Sequence, residues 1–136
     1  MKSLHRIVLS WGVICLMVAT TFAGEFNPVL DIKDTAPKWA KLPATDGKHY
    51  AFEDFKDKEI LVVVFTCNSC PYAVDYEERL VAFSKKYAGS KVGLVAINVN
   101  KVEEDLLPAM KQRAKEKGFT FPYLFDETQE IAKKYG

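Results

Sequence analysis

Residues 60–73 read ILVVVFTCNSCPYA. The first six, Ile60 to Phe65, are an uninterrupted apolar run rich in β-branched residues, the pattern of a strand buried on both faces inside a parallel sheet. Two cysteines three positions apart, Cys67 and Cys70, follow at once, and Pro71 opens a segment of helical spacing. Ala73, Tyr76, Leu80, Phe83 and Tyr87 fall on one stripe to Tyr87. Asp75, Glu77 and Glu78 lie in its first half, Lys85 and Lys86 near its end and Gly89 just beyond, an order that suits the helix dipole and a C-terminal cap. Val92 to Val99 (VGLVAINV) is a second buried-strand run. Strand, helix and strand make a βαβ unit, with a right-handed crossover expected.

On the N-terminal side, Glu25 to Pro37 is polar with two prolines and predicts an irregular lead-in. Trp39-Ala40-Lys41-Leu42 begins a short extended stretch, Thr45-Asp46-Gly47-Lys48 signals a turn, and His49-Tyr50-Ala51-Phe52 returns as a second hairpin arm. Trp39, Tyr50 and Phe52 read as packing residues of that hairpin. On the C-terminal side, Leu107, Met110 and Ala114 mark a helix from about Asp105 to Lys117, with Pro108 tolerable in its first turn and Gly118 as its stop. Glu103-Glu104-Asp105 reads as a solvated helix start, where negative charge is favourable. Phe121 to Phe125 is a short extended piece, and Glu127 to Tyr135 begins another helix. No internal repeat or low-complexity segment interrupts the pattern.

The chain of 136 residues is long enough for one ordinary domain, and its 49% hydrophobic and 27% charged composition is that of a globular protein. Net charge is +1 with the basic residues dispersed, so no stripe points to nucleic acid. The first residues differ in kind. Lys2 and Arg6 precede an apolar, uncharged run from Ile7, and Thr21-Phe22-Ala23 supplies small residues at the positions a signal peptidase reads. The expectation is a secretory signal peptide over residues 1–23, cleaved after Ala23, and a periplasmic or extracellular mature protein. The alternative is an uncleaved membrane anchor over residues 7–23, although the run falls short of the roughly 20 residues a spanning helix needs. Cys15 leaves with the signal. Loss of Lys2 and Arg6 from 19 basic residues leaves the mature chain near neutral against 18 acidic ones.

Two cysteines then remain, both in the one motif, in a compartment where a disulfide persists. A lone C-x-x-C is weak; between a buried strand and the helix of a βαβ unit it points to redox work. Unpaired N–H groups at a helix start favour a nearby thiolate, the attacking species in disulfide exchange. Cys67, nearer the loop, is the expected nucleophile, and Cys70, one turn further in, is expected to resolve the mixed disulfide. The bland alternative is a pair of apolar fillers.

The stretch DTAPKWAKLPATDGKHYAFEDFKDKEILVVVFTCNSCPYA resembles the opening of the redoxin family, the branch of thioredoxin-like proteins that includes the AhpC/TSA peroxiredoxins. MKQRAKEKGFTFPYLFDETQEIAKKYG is similar to the same group, in particular its bacterial members with C-x-x-C-Pro. The resemblance runs from about Asp34 to Gly136. It implies an α/β, thioredoxin-like fold over residues 24–136 (an N-terminal hairpin, a βαβ core and an extra helix) with thiol–disulfide chemistry at Cys67 and Cys70. Peroxiredoxins carry Pro-x-x-x-Thr/Ser-x-x-Cys; aligned on Cys70, the threonine position is Cys67 and the proline position Val63, and Thr66 is one place off. Thiol peroxidase (antioxidant) activity is therefore the runner-up. The family continues into a cis-proline loop and a ββα part, which this chain lacks after Gly136. A C-terminally truncated fragment is expected, with the valine edge of Ile60–Phe65 open and prone to aggregate.

The expected partners are protein or small-molecule thiols and disulfides and an unidentified electron donor; no cofactor and no metal are expected. Two other readings stand beside this one. Copper chaperones of the same fold bind Cu(I) through two cysteines and a late histidine, but space the cysteines by three residues; here the spacing is two, and the only mature histidine, His49, is early and reads as a solvated hairpin residue. The other reading is an inactive fragment. Glu77 and Glu78 are candidate proton carriers, more simply surface residues.

Overall fold

The computed structural model describes residues 27–136; the expected signal segment and Cys15 lie outside the described residues. Strands β1 (Leu42–Pro43) and β2 (His49–Tyr50) form the expected hairpin, with Leu42 opposite Tyr50. The second arm ends sooner than the sequence suggests. The Asp54 carboxylate accepts the Ala51 N–H at 2.8 Å, and Phe52–Phe55 winds into a 3-10 turn that drops Phe52 edge-on against the buried Trp39, centroids 5.1 Å apart.

The second sheet has three parallel strands in the order β3 (Ile60–Phe65), β4 (Val92–Asn98), β5 (Tyr123–Phe125). Helix α1 (Pro71–Lys86) joins β3 to β4, and α2 (Leu107–Lys117) joins β4 to β5. Helix α3 (Glu130–Tyr135) follows β5. Register sets Val63 opposite Val95 and Ala96 opposite Tyr123. Alternation along β4 divides the interior: Leu94 and Ala96 pack with Met110, Tyr123 and Leu80 under α1 and α2, while Val95 and Ile97 pack with Trp39, Leu124 and Ile131 under the hairpin and α3. Each fully buried aliphatic side chain contributes roughly 1.5–3 kcal/mol.

The two outer strands differ. The outer side of β5 meets the hairpin, where Ala44 bridges Leu124 and the Thr45 N–H donates to the Tyr123 carbonyl at 3.0 Å. Among the described residues β3 pairs with β4 alone. The expectation that Ile60–Phe65 is buried on both faces is therefore corrected: the strand is half-buried, with Ile60 58% and Phe65 37% exposed, because it forms the edge.

Two helix readings are also corrected. The buried face of α1 carries Glu77 in place of Tyr76, which is exposed, because Arg113 of α2 supplies a counter-charge there. Helix α2 begins at Leu107, later than expected, after a 3-10 turn over Glu103–Asp105. Gly118 ends it at φ 65°, a left-handed cap that a side chain would strain. No helix of the described residues is long and apolar enough to cross a membrane.

Candidate active site

The sheet delivers the cysteine motif to one end of the molecule. Strand β3 stops at Phe65, the Thr66 N–H still donates to the Ile97 carbonyl at 3.1 Å, and Cys67 is the first residue free of the ladder. Cys70 is the N-cap of α1, extended at φ −83° and ψ 120°, and its carbonyl accepts the Val74 N–H at 3.0 Å. Pro71 occupies the first turn, where a missing N–H removes no helical bond. Both cysteines are half-buried free thiols. Both members of the sequence-predicted pair thus lie at a strand-to-helix junction.

Between them, Asn68 and Ser69 are tied to the rest of the fold. The Asn68 N–H and the Ser69 hydroxyl donate to the two oxygens of Asp105, both at 2.5 Å. Asn68 Nδ2 donates to the Glu104 carbonyl at 2.7 Å, and the Tyr123 hydroxyl donates to Asn68 Oδ1 at 3.1 Å. Asp105 has no solvent exposure, contrary to the solvated helix start read from the sequence. Its oxygens also accept from Asn98 Nδ2 and Asn100 Nδ2, each at 3.1 Å. Burial pushes this carboxyl upward, but the donors on Ser69, Asn100, Asn68 and Asn98 outweigh it and hold the group below its ordinary value. Asp105 is therefore an ionised acceptor at neutral pH. Burial pushes the Tyr123 phenol well above its ordinary range, and the negative charge of Asp105 and of a Cys67 thiolate act in the same direction. Tyr123 stays a donor within electrostatic reach of Cys67.

Asp105, Asn98, Asn100 and Tyr123 were absent from the sequence-derived site. One signal for them existed. Asn98 continues the alternation Leu94, Ala96 on the buried face of β4, and an amide at a core position needs partners that only neighbouring polar residues can supply.

The other candidates lie elsewhere. Glu77 is buried and bound bidentately by Arg113 at 2.7 and 2.9 Å, so it is not a surface residue, and its carboxylate is engaged between helices. Glu78 and His49 are exposed on α1 and β2 respectively. Among the described residues no group of three or more His, Cys, Asp and Glu side chains is arranged to hold a metal ion. A groove of about 580 Å³ opens around Gly93 and Phe83, at the start of β4 and away from the cysteine end.

The AhpC/TSA family profile matches residues 32–136, which takes in the hairpin, the sheet and the whole cysteine loop. The chain belongs to the AhpC/TSA family. Solved structures agree with this redoxin assignment and with a thioredoxin-like fold. A hypothetical protein from Sinorhizobium meliloti 1021 is 38% identical at a TM-score of 0.70, over 74% of this chain and 56% of that one. An uncharacterized conserved protein from Geobacillus kaustophilus is 40% identical at a TM-score of 0.70, over 75% of this chain and 56% of that one. A thiol:disulfide interchange protein of the thioredoxin family from Chlorobium tepidum TLS is 26% identical at a TM-score of 0.63, over 77% and 68%. The chain thus spans little more than half the length of the first two. No curated protein sequence gives a significant match.

Proposed function

We propose that this redoxin is an exported thiol–disulfide oxidoreductase in which Cys67 attacks and Cys70 resolves. The observation that carries the reading is the junction itself: Cys67 just past the ladder, Cys70 at the cap of α1, and a tethered dipeptide between them. Cys67 as thiolate opens a partner disulfide and forms a mixed disulfide, releasing one partner thiolate. Cys70 as thiolate then attacks the Cys67 sulfur, closing the Cys67–Cys70 disulfide and releasing the second. The dithiol loses two electrons, the partner disulfide gains them, and the two thiol protons pass to the leaving thiolates. Run backwards, the same steps reduce a partner. The leader over residues 1–23 supports work in an oxidising compartment; a mature N-terminus at Gly24 in the secreted protein is the matching measurement.

The test is incubation with oxidised glutathione followed by intact-mass analysis. The wild type should lose two hydrogens, Cys70→Ser should retain one glutathione, and Cys67→Ser should do neither. Glutathione trapped on Cys70 in the Cys67→Ser protein would reverse the roles, and a wild type left as dithiol would end the proposal. Peroxide reduction is the weaker reading, since Cys67 and Val63 stand where the family's peroxidases need a hydroxyl and a proline. Rapid oxidation by hydrogen peroxide at a concentration too low for free thiols would favour it.

A further inference from the structure

Asn68 and Ser69 take no part in the exchange steps, yet both are held by polar contacts to the buried Asp105. Each oxygen of Asp105 accepts one bond from the scaffold and one from the loop: Oδ1 from Asn98 Nδ2 and the Asn68 N–H, Oδ2 from Asn100 Nδ2 and the Ser69 hydroxyl. No Lys, Arg or His lies within 4.0 Å of this carboxylate among the described residues. A buried, uncompensated carboxylate costs several kcal/mol unless its lone pairs are filled, and here neutral donors fill them. Asn98 at the end of β4 and Asn100 just past it fix the carboxylate, so its remaining lone pairs dictate where the loop lies. The Glu104 carbonyl and the Tyr123 hydroxyl hold the Asn68 amide from two further directions.

We propose that Asp105 is a positioning residue for the resolving step, holding the Asn68–Ser69 bridge so that Cys70 stays in reach of a Cys67 mixed disulfide. The inference rests on the thiol–disulfide reading above. Capping of Cys67 is bimolecular and needs only an accessible thiolate. Resolution is intramolecular, and its rate follows the effective concentration of one sulfur at the other, which loop geometry sets. Freeing the bridge therefore slows the second step and spares the first. With two charge-assisted bonds lost or weakened, the slowing should be on the order of tenfold. The atom balance is that of the two exchange steps already written, with a small-molecule disulfide as oxidant.

The experiment follows both steps by rapid acid quench and mass analysis after mixing reduced protein with oxidised glutathione. Asp105→Asn should cap Cys67 at the wild-type rate and accumulate the mixed disulfide, and Ser69→Ala should show a smaller, several-fold delay. Ser69→Thr, which keeps a hydroxyl, should restore the wild-type rate, and Glu77→Gln, a buried acid with no contact to the loop, should leave both steps unchanged. A folded Asp105→Asn protein that resolves at the wild-type rate overturns the inference. Where Asp105→Asn does not fold, Ser69→Ala decides alone, and wild-type resolution in it overturns the inference equally. A wild type that closes no Cys67–Cys70 disulfide removes the underlying reading, a different result from a wild type that closes it beside a variant that closes it as fast.

Discussion

Glu77 and Asp105 are both buried carboxylates, 5% and 0% exposed, yet the fold compensates them in opposite ways. Glu77 on α1 meets a cation: Arg113 of α2 binds it bidentately, and Lys117 approaches to 3.8 Å. The pair joins two helices and touches nothing that reacts. Asp105 meets neutral donors, one from the end of β4, one from the loop just past it and two from the cysteine loop. A guanidinium would have neutralised Asp105 with a single partner. Four neutral bonds leave it charged, and they tie the cysteine loop to the end of the sheet. The first acid joins two helices; the second joins the cysteine loop to the sheet.

The largest effect that would sharpen this contrast is on stability. Arg113→Ala strands Glu77 in the interior and should lower the unfolding free energy by about 3 kcal/mol. Replacing both partners with methionine should recover most of that loss, because an apolar pair fills the same space without desolvation. Urea unfolding measures both. A single variant as stable as the wild type would show the ion pair to be idle.

Acid provides a smaller test. The Asp105 carboxyl is held below its ordinary value of 3.8 in the fold, so the stability it contributes is present above that value and lost as pH falls through the folded value. The stability gap between wild type and Asp105→Asn should therefore hold constant down to pH about 4 and narrow only below it. A gap that closes between pH 7 and 5 would mean that the carboxylate is not the stabilised species. The smallest effect belongs to the exposed pair Lys133–Glu130 at 2.8 Å on α3, where solvent screens the charges. Lys133→Ala should leave the melting temperature unchanged within error; a clear drop would show that surface pairs here matter as buried ones do.

Much of the fold was legible in the chain. Ile60–Phe65 and the run from Val92 are β-branched and too short for helices, and both are strands where the spacing put them. Pro71 and the charge gradient to Lys86 located α1. What misled was partnership. Tyr76 suits an apolar stripe better than Glu77 does, until Arg113 from 36 residues away donates to the carboxylate. Asp105 read as solvated for the same reason: Asn98 and Asn100 are seven and five residues away, but Asn68 and Ser69 come from 37 and 36 residues away. Phe52 read as strand because alternation cannot show that Asp54 will cap Ala51.

Local chemistry indicated the βαβ core and the placement of Cys67 and Cys70 at its junction, because strand and helix periodicity and a short motif are properties of contiguous residues. Tertiary structure decided which acids are buried and what holds the bridge between the cysteines. Those outcomes depend on groups far apart in the chain: Glu77 and Arg113 are 36 residues apart, as are Ser69 and Asp105. A buried carboxylate is tolerable only where such groups converge, as Asn98, Asn100 and the cysteine loop converge on Asp105.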